Sequence, residues 1–140
     1  MTRRHLMLIA LIWLPFLMLP AFAAFGDTSY PHIAFHVLAI PMLVGAAVLV
    51  RRLLAQTEST AQRRICKALL LFVPLAVLGH LAELATALAR FADDGFVNRA
   101  AHVTVPSMML AMVTVLVLAV TVAVQGRSRK ESSPSVGTRL

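Results

Sequence analysis

Four stretches of the chain are nearly free of charge and long enough to cross a lipid bilayer: residues 6–25, 32–50, 68–89 and 101–124. A helix needs about 20 mainly apolar residues to span the hydrocarbon core, so the pattern predicts four transmembrane helices. Polar connections fall at 26–31, 51–67 and 90–100, which makes consecutive spans antiparallel. The expected fold is all-α, one transmembrane helical domain over residues 1–125 with short outer connections and one longer cytoplasmic loop. Residues 126–140 are rich in Ser, Arg and Lys and read as a disordered basic tail.

Composition fits lipid as the solvent. The chain is 59% hydrophobic and only 14% charged, too little polar surface to coat a water-soluble domain of this length. A net charge of +7 would by itself admit nucleic acid as a partner, but the charges are sorted. Arg3, Arg4, Arg51, Arg52, Arg63, Arg64, Lys67, Arg127, Arg129, Lys130 and Arg139 fall on one side of the predicted membrane. Only Arg90 and Arg99 fall on the other, together with Asp27, Asp93 and Asp94. The positive-inside rule makes the crowded side cytoplasmic, with both termini there and the chain in a plasma or inner membrane. Anionic lipid headgroups are then the natural partner of the basic surplus, and nucleic acid is not needed to account for it. A membrane-protein partner or a homo-oligomer is compatible with the small residues on the spans.

The first span has a rival reading. A basic start, an apolar run, Pro20 and the small residues around Ala23 also suit a cleaved secretory signal. Cleavage after Ala23 would leave three spans in the same orientation. The apolar run continues to Phe25, and that length favours a retained helix. Each span also carries a proline, at 15 and 20, 41, 74 and 106, which membrane helices tolerate where neighbours satisfy the freed backbone group.

Candidate chemistry lies in the ionisable residues inside these apolar segments: His36, His80, Glu83 and His102. A charge at mid-bilayer costs about 2.5–3.5 kcal/mol on insertion scales, so such groups face the bundle interior and mark function by default. At about 1.5 Å rise per residue, His36 lies roughly 7 Å and His102 roughly 5 Å beneath the outer boundary. Glu83 lies roughly 10 Å beneath it, and His80 about one turn deeper. Four groups from three helices thus share the outer half of the membrane. His80 and Glu83, three apart, share a helix face, and so do His32 and His36, four apart.

Imidazole and carboxylate together suit zinc, copper or iron. His36, His80, Glu83 and His102 form the expected metal set, in four-coordinate or open three-ligand form. A second version is haem b with His36 and His102 as axial ligands and Gly79 giving the porphyrin clearance. The competing readings are an accessory or assembly subunit whose histidines only bond helices together, and a proton-linked sensor or carrier using the same cluster. His32 is placed at the water boundary and read as solvated, with a part in admitting a ligand left open. The lone Cys66 excludes an internal disulfide and any Cys-rich metal motif. With no Gly-rich phosphate loop and no zinc-protease motif, catalysis in its own right is not expected.

Overall fold

A computed structural model describes residues 1–23, 30–89 and 94–131. It contains four helices: α1 (Arg3–Ala23), α2 (Tyr30–Gln56), α3 (Thr60–Ala89) and α4 (Asp94–Glu131). All four are long and apolar enough to cross a membrane. The expected four-helix antiparallel bundle is therefore the fold. Neighbours pack in a ring: α3 against α4 and α2, and α1 against α2 and α4, while the diagonal pairs make no close backbone approach among the described residues. The order is up-down-up-down.

Every helix buries one narrow stripe and leaves the rest of its apolar surface outward. On α3 the stripe runs Cys66, Leu69, Val73, Ala76, His80, and on α4 it runs Thr104, Met108, Ala111, Val115, Leu118. These steps of three and four average 3.5 residues, the period of a bundle seam. α2 contributes Phe35, His36, Ala39, Leu43, Ala46 and Val50, and α1 contributes Leu8 and Ile12. Large apolar residues such as Leu17, Leu71, Val113 and Val120 are more than half exposed. In water such a surface would aggregate; in lipid it faces its own kind.

The helices outrun the apolar segments that announce them. The connection expected over 51–67 is reduced to Thr57–Glu58–Ser59, because α2 continues to Gln56 and α3 begins at Thr60. Arg, Leu, Ala and Gln in this stretch are good helix formers, and Ser59 caps α3 by accepting the Gln62 backbone N–H on its hydroxyl at 3.4 Å. The tail expected from 126 likewise continues α4 as far as Glu131. Hydropathy marks where a helix meets lipid, not where it ends. The prolines at 15, 20, 41, 74 and 106 all lie within continuous helices.

Close packing of α3 on α4 is set at Gly79. A Cβ built there would sit 2.9 Å from both the Cα and the Cβ of Thr104, so the two backbones approach as only a glycine permits. Gly79 precedes His80, and the contact fixes the height at which α4 crosses the candidate site.

Candidate functional site

His36 stands at the centre of the polar constellation. It lies on the inner face of α2, 1% exposed, with Phe35 beside it. Its Nδ1 is 2.9 Å from Nδ1 of His80 on α3. Its Nε2 is 2.9 Å from Nε2 of His32, one turn earlier on α2, and 3.5 Å from Oε2 of Glu83 on α3. The two nitrogens of one ring therefore reach in opposite directions. A neutral imidazole has one N–H and one lone pair. With Nδ1 of His36 donating to His80, its Nε2 lone pair accepts from the Nε2–H of His32, and the Glu83 carboxylate, itself an acceptor, is joined to that lone pair only through a shared cation or proton.

The local sequence explains the placement. His32 and His36 are four apart on α2 and their rings meet edge to face at 4.7 Å. His80 and Glu83 are three apart on α3. Glu83 is 15% exposed and continues the α3 stripe one step beyond His80. Phe35 stands edge-on to both buried imidazoles, at 5.2 Å from His36 and 5.6 Å from His80, and shields them on its side. A cavity of about 110 Å³ adjoins the group, walled by Pro15 and Phe16 of α1 and by Thr104 and Met108 of α4.

His32, His36 and Glu83 each present a ligand atom, and the three atoms lie within 4.8 Å of one another. Metal–nitrogen bonds of about 2.0–2.1 Å in a tetrahedral shell put ligand atoms about 3.3 Å apart, so small side-chain shifts suffice to close the set. His80 is 4% exposed and touches the group through His36. Its other nitrogen, Nε2, is buried without a hydrogen-bond partner among the described residues.

Of the four residues expected from sequence, the structure brings together His36, His80 and Glu83 and leaves out His102. His102 is on the exposed side of α4. Thr104, two residues on, is buried, and two residues are 200° of helix rotation. Depth was shared, direction was not. The fourth position is occupied instead by His32, half-buried rather than solvated; its signal was the four-residue spacing from His36. For the haem version, His36 is buried on α2 while His102 is exposed on α4, so the two expected axial ligands do not both face the bundle interior. The clearance expected over Gly79 is filled by Thr104, and a 110 Å³ cavity is smaller than the roughly 300–1,000 Å³ of ordinary ligand pockets. Asp27, Arg90 and Asp93 lie outside the described residues, as do the side chains of Asp94 and Arg99.

Comparison of the chain with protein-family models, with curated proteins and with solved structures finds no match.

Proposed function

We propose that this is a membrane protein that binds a transition metal at His32, His36 and Glu83, with His80 as the positioning residue, for metal handling, sensing or electron transfer. The observation that supports it is the convergence of three ligand atoms within 4.8 Å from two helices otherwise packed through apolar residues. Two imidazoles and a carboxylate suit zinc, copper or iron. Three protein ligands leave a fourth position for water or an incoming group. His80 supplies the outer contact that metal-bound histidines usually have: the Nδ1–H of His36 donates to it, which turns the His36 Nε2 lone pair toward the metal.

Orientation follows from charge. The end holding Arg51, Arg52, Arg63, Arg64 and Lys67 faces the cytoplasm, and the metal group lies toward the opposite surface. A second reading, proton transfer along the imidazoles, is favoured by the unbroken series His32–His36–His80 with 2.9 Å at each step.

Metal analysis of the detergent-purified protein separates the two. Near-stoichiometric zinc, copper or iron is expected, lost in His36→Ala and weakened about 10–100-fold in His80→Leu, the cost of removing an outer contact. A folded, metal-free protein that takes up none of the three ions on titration would eliminate the metal reading and leave the proton series.

A further inference from the structure

At the opposite end of the bundle from His32, His36 and His80 lies a second and larger cavity of about 680 Å³, with His5 in its lining. Its inner wall includes Leu53, Cys66 and Leu118, all buried, and its outer wall includes Arg3 and Arg4 at the start of α1. The volume falls in the range of small-molecule pockets, about 300–1,000 Å³. An apolar base beneath a cationic rim is the shape of a site for an amphiphile.

The polar lining is already spoken for, except for its charge. Gln62 donates its side-chain amide to Oε1 of Gln125 at 2.6 Å, and Gln125 donates in turn to the Ser59 hydroxyl at 3.0 Å. The Thr57 hydroxyl donates to Oε1 of Gln62 at 2.8 Å. Arg4 donates to Oε1 of Gln56, a neutral acceptor. None of the ion pairs among the described residues involves Arg3 or Arg4. Glu58 is the one carboxylate lining the cavity among the described residues, while Arg51, Arg52, Arg63, Arg64, Lys67 and Arg127 are exposed on the same end. The field in the cavity is therefore positive, and guanidinium pairs match phosphate oxygens in geometry as well as charge.

We infer that this cavity binds a phosphate-bearing anion between Arg3 and Arg4, with the apolar wall receiving the carbon skeleton attached to it. The ligand chemistry is a phosphate ester, carried either by an anionic membrane lipid or by a soluble molecule. The site is separate from the metal group and stands or falls without it.

Native mass spectrometry of the full chain, stripped of lipid and then offered phosphatidylglycerol, phosphatidylcholine or glycerol phosphate, tests this. Phosphatidylglycerol is expected to remain bound and phosphatidylcholine not. The Arg3→Gln/Arg4→Gln double variant should weaken retention about 30-fold, two contributions of about five- to sixfold each. Arg51→Gln/Arg52→Gln, at the same end but outside the cavity, should leave it within about twofold. Val122→Trp, which narrows the apolar part of the cavity and keeps every charge, should also weaken retention and supplies a second variant independent of the arginines. Glycerol phosphate held with the same arginine dependence would assign the soluble source. Equal retention of the two lipids, equal loss in both arginine pairs, or full retention in Val122→Trp would overturn the inference.

Discussion

A methyl group added at Gly79 would lie 2.9 Å from the Cα of Thr104, and because Thr104 belongs to α4 the two helices would have to part. Gly79→Ala should therefore destabilise the bundle by about 1–3 kcal/mol, the usual cost of overpacking, read as a lower melting midpoint in detergent. Gly45→Ala is the control. Its added carbon would lie 3.7 Å from the flexible side chain of Leu11, an ordinary contact, and the midpoint should not fall. Equal midpoints for both variants would show that the α3–α4 approach at Gly79 is not limiting. At this same scale the sequence was half legible. Spacing alone put His80 beside Glu83 and His32 beside His36, and counting residues set the α2 and α3 groups at matching heights, where His36 meets His80 and Glu83. What counting could not supply was the rotation of α4, which turns Thr104 and Met108 inward and His102 out. That rotation is decided by which stripe of α4 buries best against Gly79, Val73 and Ala76, a property of the pair of helices and of neither alone.

Helix ends were harder to read than helix middles. Apolar runs announced all four elements, yet α2 and α3 extend through Arg51, Arg52, Arg63 and Arg64 until only three residues separate them. Charged residues cannot enter hydrocarbon cheaply, but they are content in a helix that has emerged into water. The first helix raises a different question, because its composition also suits a cleaved signal. In the structure Leu8 and Ile12 are fully buried in the common core, and Pro15 and Phe16 wall the histidine cavity. Protein made without residues 1–23 should expose the inner faces of α2 and α4 and lose both monodispersity and bound metal. Mass spectrometry of the mature amino terminus, read beside size-exclusion profiles of the two forms, provides the check; a shortened protein that stays monodisperse and metal-loaded would count against a structural role for α1.

The whole molecule is polarised, with basic side chains and an amide network at one end and the His32–His36–His80 group at the other. The orientation proposed from that polarity predicts which face reaches which compartment. Cys66, 1% exposed, is the single thiol and should be silent. Glu58→Cys, in the short connection, should react with a membrane-impermeant maleimide only in inverted vesicles, and Tyr30→Cys, 89% exposed, only in intact cells. The reverse pattern would invert the topology. The seams described on α3 and α4 carry one more implication. Because their buried positions recur every 3.5 residues from one end to the other, the two ends of each helix are in register, like the wards of a key. Insert one residue between Val73 and Ala76 and everything beyond it turns by 100°, swinging His80 and Glu83 toward lipid while Gln62 stays in its latch. Insert seven, and the facing returns with the helix about 10 Å longer.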